Sequence, residues 1–306
     1  MAKIAFVFAG QGAQAVGMGK DLYDAFDSVK EIFDISEPLK NLCFNGPKEE
    51  LDVTVNTQPA LFLTDLACAI ALKEKGVVAD GVAGFSLGEI PAACYAGLFE
   101  STQAGFDFVQ KRAKEMQSCA VDNPGTMFAV LKLSTSEVES ICEGLRQAHS
   151  CMITPVNYNA PGQTVVACAD SVADELQTAV KDAGGKAVKL KVSGAFHSPF
   201  MTQAAEAIAS YLEGFDGKAK MPLYSNVTAS VYDDNPNSLL SRQINSPVLW
   251  QTTIENMVAD GFDTFIEVGP GKTLTGLIQK INPDVKAYNV SDMQTLNNTL
   301  EELNNA

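Results

Sequence analysis

The sequence predicts an α/β fold: a parallel sheet covered by helices on both faces, interrupted by a compact α+β insert. Three observations lead to this prediction. Apolar, strand-like runs alternate with helix-like segments up to about residue 122, which is the pattern of a parallel sheet. The next stretch of about 70 residues places short strands around two helices. After Gly194 the alternation of strand-like and helix-like segments returns.

The first part of the chain supplies its elements in order. The run "KIAFVFAG" is continuously apolar and bounded by glycine, which predicts a buried strand. Residues 57–76 predict a mostly buried helix, with Pro59 near its start and Gly76 as its stop signal. A strand precedes Ser86, a helix follows it, and a further helix is predicted over about residues 102–120.

The middle of the chain has the order β-α-β-β-α-β, which is the ferredoxin-like pattern. Its predicted strands are "TMFAVLKL", "CMITPVNY", "TVVACA" and "KAVKLKV", and its helices are "STSEVESICEGLRQA" and "SVADELQTAVKDAG". The last part predicts helices "PFMTQAAEAIASYLEGF", "TTIENMVADG" and "KTLTGLIQKI", strands "MPLYSNV" and "TFIEVG", and a polar, weakly periodic tail. We therefore expect a core made of residues 1–122 and 195–306 and an insert of residues 123–194.

Composition narrows the class of protein. The chain has 306 residues, 46% hydrophobic and 19% charged, as expected of a globular protein with a sizeable core. A net charge of −15 argues against binding nucleic acid or an anionic membrane. The N-terminal apolar run is stopped by a Gly-Gln-Gly turn, and no stretch approaches the roughly 18 apolar residues of a membrane span. We expect a cytoplasmic protein.

Cysteine and histidine usage argues against a metal site. The seven cysteines include no C-x-x-C and mostly sit in apolar patterns, which is typical of reduced, buried thiols rather than disulfides. Two histidines are too few for an ordinary zinc site. We expect no metal.

Ser86 lies in "GFSLGE", where a serine between two glycines joins a predicted strand to a predicted helix. That is the arrangement of a nucleophile elbow, in which the helix N-terminus offers backbone N–H groups to a developing oxyanion. The N–H of Leu87 is the first such donor, and Glu89 complements the helix dipole. A tight β-α turn with a chance Gly-x-Ser-x-Gly is the alternative.

A serine nucleophile needs a base, and the chain offers only His149 and His197. His149 closes a predicted helix of the insert, where a surface position is expected. His197 lies in "VSGAFHSPFM", the loop that returns the chain from the insert to the core, and there it can face the same sheet edge as Ser86. We favour His197. No acidic third member of a triad can be nominated from 37 acidic residues.

Arg112 lies within an apolar helical stripe. Phe108, Arg112 and Met116 are four residues apart and share one face, whereas Asp107 and Lys114 belong to the solvated face. A buried guanidinium requires a partner. The partner is either a structural one or the carboxylate of a substrate, which arginine binds in a bidentate manner.

Two glycine-rich turns differ in what they indicate about function. Gln11, in "FAGQGAQ" after the first strand, occupies a loop beside the predicted switch of the sheet, and its N–H is a second candidate for an oxyanion hole. The segment "VGPGKT" fails the phosphate-binding P-loop pattern because Ile266 stands where the first glycine is needed.

Together these residues resemble the malonyl-CoA:acyl carrier protein transacylase family over nearly the whole chain. The motifs that carry the resemblance occur in order: "FAGQGAQ", "GFSLGE", "KRAKEMQ", "PGTMFAV", "VNYNAPGQTVVA", "GAFHSPFM", "YSNVTA" and "EVGPGKTLTGL". The resemblance implies a hydrolase-like parallel-sheet core with a ferredoxin-like insert and an active site in the cleft between them.

The resemblance also implies roles for residues. Ser86 would be the nucleophile, His197 its base and Arg112 the holder of the malonyl carboxylate. The N–H groups of Gln11 and Leu87 would form the oxyanion hole. The expected substrate pocket contains Phe196, whose bulk in "GAFH" resembles the malonyl-selecting form, together with Met116 and Asn157.

This chain departs from the family at two positions. Phe85 stands where the family usually has histidine, "GHSLGE" against "GFSLGE". Leu249 stands before the tryptophan of "PVLWQ", where the family often has glutamine. The resemblance implies that the backbone carbonyl at that second position orients the catalytic histidine.

The expected function is ping-pong transfer of malonyl from malonyl-CoA to acyl carrier protein through a malonyl-seryl ester, in fatty-acid or polyketide synthesis. A serine hydrolase or thioesterase is the alternative enzyme, and a noncatalytic interaction module the alternative class. No cofactor is expected, because the CoA thioester is a substrate, and a monomer is expected. Since the carrier is acidic like this chain, docking requires a local basic patch, for which Lys186, Lys189 and Lys191 are candidates.

Overall fold

The structure is a computed structural model, and it describes residues 2–233 and 235–305. The strands are β1 (Ile4–Phe8), β2 (Gly81–Gly84), β3 (Thr126–Leu131), β4 (Ile153–Ala160), β5 (Gln163–Cys168), β6 (Lys186–Lys189), β7 (Leu223–Tyr224), β8 (Thr264–Val268) and β9 (Lys286–Val290). The helices are α1 (Lys20–Ala25), α2 (Asp27–Phe33), α3 (Glu37–Asn45), α4 (Lys48–Leu51), α5 (Thr54–Glu74), α6 (Glu89–Tyr95), α7 (Thr102–Asp122), α8 (Thr135–His149), α9 (Ala173–Asp182), α10 (Thr202–Tyr211), α11 (Pro236–Arg242), α12 (Trp250–Ala259), α13 (Thr273–Ile281) and α14 (Met293–Asn304).

The larger sheet is parallel, with the strand order β7-β2-β1-β8-β9. Successive residues of β1 face opposite sides of it. Phe6 and Phe8 pack into the core cluster that contains α5 and α7, whereas Ala5 and Val7 pack against α12 and α13. Helices therefore cover both faces, which explains why the predicted strands are continuously apolar.

The smaller sheet is antiparallel, with the order β4-β5-β3-β6. With α8 and α9 it forms the ferredoxin-like unit that the sequence predicts. Phe128 and Val130 face α8 and α9, whereas Met127 and Ala129 face the core domain. The α/β fold class is confirmed, and the exact domain limits at 122/123 and 194/195 stay a prediction.

Backbone hydrogen bonds join the small sheet to the segment that precedes α12. Val248 N donates to the Val156 carbonyl oxygen and Tyr158 N donates to the Val248 carbonyl oxygen, each at 2.9 Å. The segment before α12 thus forms one parallel bridge with β4, between Val248 and Asn157. Because of this contact, the inner face of the small sheet lies over the carboxyl ends of the large sheet's strands, where parallel sheets place their ligands.

The sequence misses several elements. Helices α1–α4 and α11 are four to nine residues long, too short to show a helical period, and β9 is half-exposed at the sheet edge. The polar tail is helix α14, capped by the Asp292 side chain, which accepts from Thr295 N. Helix α5 begins at Thr54 and contains Pro59, because a proline near the start of a long buried helix removes only one of its hydrogen bonds.

Helix α5 corrects the expectation that no segment is long and apolar enough for a membrane span. Within the described part of the chain it meets that criterion by length and composition, but 83% of its most apolar window is buried inside the protein. That burial is typical of the core helix of a soluble protein.

Candidate active site

Ser86 lies at the turn between β2 and α6, inside a single 3₁₀ turn, Ser86–Gly88. Its φ of 53° is left-handed, a conformation that costs free energy in a residue with a Cβ. A Cβ on Gly84 would lie 2.0 Å from the Gly88 backbone, and one on Gly88 would lie 2.1 Å from the Phe8 carbonyl oxygen. The motif therefore needs both glycines in order to present the serine.

The structure brings Ser86 and His197 together. Ser86 Oγ lies 2.6 Å from His197 Nε2, and His197 Nδ1 lies 2.9 Å from the backbone carbonyl oxygen of Gln243. A carbonyl oxygen can only accept, so Nδ1 carries the proton and Nε2 is left to accept from the serine hydroxyl. This is the tautomer that a general base requires.

The carbonyl that orients the histidine belongs to Gln243 and not to Leu249, so the expectation at Leu249 is wrong. Gln243 directly follows α11, and the last carbonyls of a helix lack partners within it. The Leu249 carbonyl instead accepts from the backbone N–H and hydroxyl of Thr253 in α12. Both positions lie in one connecting segment, and only the fold decides which carbonyl faces the imidazole.

His197 is held neutral. Burial and the positive charge of Arg112 lower the pKa of His197 from 6.5 to about 4, against its backbone hydrogen bonds, which act to raise it. At neutral pH the imidazole is therefore free to take a proton. His149, the other histidine, ends α8 at the surface and pairs with Glu175 at 2.6 Å.

Arg112 is fully enclosed, with 1% of its surface exposed. Its guanidinium donates to two neutral groups, Gln58 Oε1 and Gln243 Oε1, and its Nε is buried without a hydrogen-bond partner. Burial lowers its pKa to about 10, so it remains a cation at neutral pH. A buried cation held only by neutral amides can bind an anionic group without first breaking an ion pair.

A cavity of about 320 Å³ lies between the two sheets. Its lining contains most of the site residues that the sequence predicts: Gln11, Ser86, Arg112, Met116, Asn157, Phe196 and His197. Leu87 is buried next to Ser86 and lies outside the lining, as do the three lysines. The nucleophile, the base and the buried cation thus line one cavity.

The residues that the structure describes offer no group of three or more His, Cys, Asp or Glu side chains suited to a metal ion. All seven cysteines are free thiols, five of them buried. Burial raises the pKa of Cys43, Cys94, Cys142 and Cys168 to about 12, so these thiols are protonated and unreactive.

Comparison with known proteins assigns this chain to a family. Residues 5–298 match the family model of the acyl transferase domain. The malonyl CoA-acyl carrier protein transacylase of Bacillus subtilis is 37% identical over 99% of this chain and 98% of its own. The chain belongs to the malonyl CoA-acyl carrier protein transacylase family.

Solved structures of transacylases have the same fold. The enzyme of that name from Clostridium perfringens is 39% identical, with a TM-score of 0.94 over 99% of this chain and 98% of its own. A malonyl-transacylase in complex with its type II PKS acyl-carrier protein is 33% identical, with a TM-score of 0.93 over 98% of this chain and all of its own.

A buried polar network surrounds the transacylase elbow, and the sequence indicates little of it. Asn226 accepts from Ser86 N at 2.7 Å and donates to the Gly84 carbonyl oxygen at 2.7 Å. The Gln243 amide donates to the Ser86 carbonyl oxygen at 2.6 Å and to Glu89 Oε2 at 3.0 Å. Because these donors fix the amide, Gln243 Oε1 must face Arg112.

Glu89 is the acidic member of this network, with no exposed surface. It accepts from Gln243, from Asn226 N and from the Tyr232 hydroxyl. Burial raises the pKa of Glu89 to about 7, and these hydrogen bonds limit the rise. The helix-dipole role expected from sequence is thus a small part of its environment.

Phe85 packs into the apolar layer behind the nucleophile. Its ring meets Trp250 edge-on at 5.5 Å between centroids, and it also lines the cavity. A Cβ on Gly10 would lie 2.9 Å from the Phe85 ring, so the first loop leaves no space between them. Phe85 therefore makes this wall of the cavity apolar.

The register of the small sheet separates the three candidate docking lysines. Lys186 pairs with Leu131, on the face that looks toward the cavity, and Lys189 pairs with Phe128, on the face that α8 and α9 cover. Lys191 follows the strand, and its positive charge helps to lower the pKa of Asp52. The three lysines therefore do not form one patch.

Proposed function

We propose that this protein transfers the malonyl group of malonyl-CoA to the phosphopantetheine thiol of an acyl carrier protein. The observation that carries the proposal is the short contact between Ser86 Oγ and His197 Nε2, at 2.6 Å, in a cavity whose wall includes the buried cation Arg112. The names of the relatives from Bacillus subtilis and Clostridium perfringens support the same reaction.

In the first half-reaction, neutral His197 removes the proton of Ser86 as its Oγ attacks the thioester carbonyl carbon. The tetrahedral intermediate collapses, the carbon–sulfur bond breaks, and the proton on Nε2 passes to the departing CoA sulfur. The product is a malonyl-seryl ester and free CoA.

The second half-reaction reverses these roles with a different thiol. The phosphopantetheine thiol enters the position that CoA has left, and His197 takes its proton. The sulfur attacks the ester carbonyl carbon, the bond to Ser86 Oγ breaks, and the serine recovers its proton from Nε2. His197 is the base in both half-reactions and Ser86 carries the acyl group between them, so we propose that no cofactor takes part.

The oxyanion of both intermediates needs two donors. The backbone N–H groups of Leu87 and Gln11 are our candidates. Leu87 directly follows the nucleophile within the 3₁₀ turn, and Gln11 follows β1 at the adjacent strand end. Donors on a rigid backbone need no reorganisation as charge develops, and that makes them effective.

The acyl pocket combines charge with bulk. We propose that Arg112 binds the malonyl carboxylate and that Phe196, Met116 and Asn157 shape the space beside it. Phe196 and Met116 are 6% and 2% exposed and Asn157 is 5% exposed, so each is fixed by packing. We further propose a monomeric, cytoplasmic enzyme that serves fatty-acid or polyketide synthesis.

Intact-mass measurement after mixing with malonyl-CoA tests the proposal. We expect a malonyl adduct that is absent in Ser86→Ala, survives in buffer, and is discharged by holo acyl carrier protein. Free CoA released without an adduct, or an adduct lost as fast in water as with carrier, would instead indicate a serine hydrolase. Acetyl-CoA, run in parallel, measures the contribution of the carboxylate.

A further inference from the structure

The loop after β1, which carries Gln11, is held by its own glutamine side chains. Gln11 Nε2 donates to Thr54 Oγ1 at 3.2 Å, and Gln14 Nε2 donates to Asp52 Oδ1 at 2.8 Å. Gln14 Oε1 accepts from Gly12 N at 2.8 Å. The loop is therefore tied, at two points, to the residues where α5 begins.

Thr54 makes a second contact from the same hydroxyl. Its Oγ1 lies 3.2 Å from Ser193 Oγ, in the segment that leaves β6 and leads to His197. Since this oxygen accepts from Gln11, its own proton is free to be donated to Ser193. Thr54 is 1% exposed, so the hydroxyl is held by packing between the two segments.

A parallel electrostatic link joins the same two segments. Hydrogen bonds from Lys48 and Gln14 lower the pKa of Asp52, and the charge of Lys191 adds to the effect. Lys191 lies two residues before Ser193, and Gln14 three residues after Gln11. The start of α5 therefore contacts the Gln11 loop on one side and the His197 segment on the other.

We propose that Thr54 is a positioning residue that fixes the Gln11 backbone N–H relative to His197. The inference rests on the proposed function, in which that N–H stabilises the oxyanion. The Gln11 side chain donates to Thr54, so we assign it the role of anchoring the loop. A displaced donor weakens oxyanion stabilisation without changing substrate binding.

Thr54→Val tests this because it keeps the shape and removes both hydrogen bonds. We expect kcat for malonyl transfer to fall about tenfold, with KM for malonyl-CoA within twofold, because a misplaced oxyanion donor acts on the transition state. Thr54→Ser restores the hydroxyl and should recover most of the rate. Gln11→Leu should match Thr54→Val, and the double variant should be no slower than either single one.

Thr57→Val is the matched control. It makes the same chemical change three residues along α5, where the buried hydroxyl donates to the Leu51 carbonyl oxygen at 2.6 Å. It should lower the melting temperature while leaving kcat unchanged. A rate loss in Thr57→Val equal to that of Thr54→Val, or losses that multiply in the Gln11 double variant, would overturn the inference.

Hydrogen exchange gives a result that does not depend on the substrate. In Thr54→Val, amides of residues 10–14 should exchange faster than in the wild type, whereas those around Ser86 should not change. Unchanged exchange in that loop would refute the positioning role even if the variant is slow. If the wild type never forms the malonyl adduct, the proposed function is refuted instead. Hydrogen exchange alone then tests the positioning role of Thr54.

Discussion

Arg112 acts on two steps of the proposed reaction. It faces the cavity as a buried cation bonded to neutral amides, and its charge lowers the pKa of His197. A bound malonyl carboxylate would cancel that charge and make His197 a stronger base. An acetyl group would not. Arg112, which we propose selects the acyl group, would therefore also set the basicity of His197, the base that activates Ser86.

Replacement of Arg112 by glutamine should separate malonyl from acetyl loading. We expect loading of Ser86 from malonyl-CoA to fall at least about 30-fold, since leaving a buried charge unpaired costs about 2 kcal/mol or more. Loading from acetyl-CoA should be unchanged or faster. Arg112→Lys retains the charge without the planar fork and should be intermediate. Equal losses with both substrates would make Arg112 structural.

On the acid side of the pH profile, kcat/KM should fall only at an unusually low pH. Because the pKa of His197 is lowered to about 4, its base form persists below pH 5, and kcat/KM for acetyl-CoA should fall only near pH 4. Removing the Arg112 charge raises that pKa, so this fall should move to higher pH in Arg112→Gln. Near-ultraviolet circular dichroism verifies folding at each pH. A fall near pH 6.5 in the wild type would contradict the prediction.

At the scale of elements, the turn between β2 and α6 tolerates no side chain at its glycines. A Cβ at Gly88 would lie 2.1 Å from the Phe8 carbonyl oxygen, which belongs to a central strand and cannot move. Gly88→Ala should therefore destabilise the fold by about 3 kcal/mol or more in urea unfolding, as backbone clashes in a packed core do.

Gly144 supplies the matched control for that substitution. It lies inside α8, and a Cβ there would meet no atom within 4 Å. Gly144→Ala should stabilise the protein by about 0.5–1 kcal/mol, because alanine loses less backbone entropy in a helix. If both substitutions destabilise the protein equally, the elbow geometry is not the cause.

The sequence predicts those elements and residues whose local pattern is sufficient. Ser86 sits between glycines, Arg112 interrupts an apolar stripe, and the insert shows the order β-α-β-β-α-β. Gln243 and Thr54 carry no such signal, because their role depends on which segments meet in space. The orienting carbonyl is a related case: the resemblance implies Leu249, whereas the fold places the carbonyl of Gln243 at the imidazole.

At the scale of the whole molecule, the cavity is shared between the two domains. Ser86 and Arg112 belong to the core, whereas Asn157 and the wall residue Ala129 belong to the small sheet. The backbone contact between β4 and Val248 fixes the small sheet over the cavity. We propose that a carrier delivers its thiol to the cavity past the edge of that sheet.

The position of Lys186 makes it the best candidate for carrier docking. It lies on the edge strand β6, and its row on the cavity face continues through Leu131 to Gln163, which lines the cavity. Neighbouring strands are about 4.8 Å apart, so Lys186 lies about 10 Å from Gln163. Val188, 39% exposed, shares this face and offers an apolar contact beside the charge.

Lys186→Glu should therefore slow the second half-reaction alone. With a net charge of −15, the protein repels an acidic carrier at long range, and losing a local cation should lower kcat/KM for the carrier about three- to tenfold, most strongly at low salt. Loading from malonyl-CoA should not change. Lys189→Glu makes the same charge change on the opposite face and should have a smaller effect. Equal effects would show that only overall charge steers the carrier.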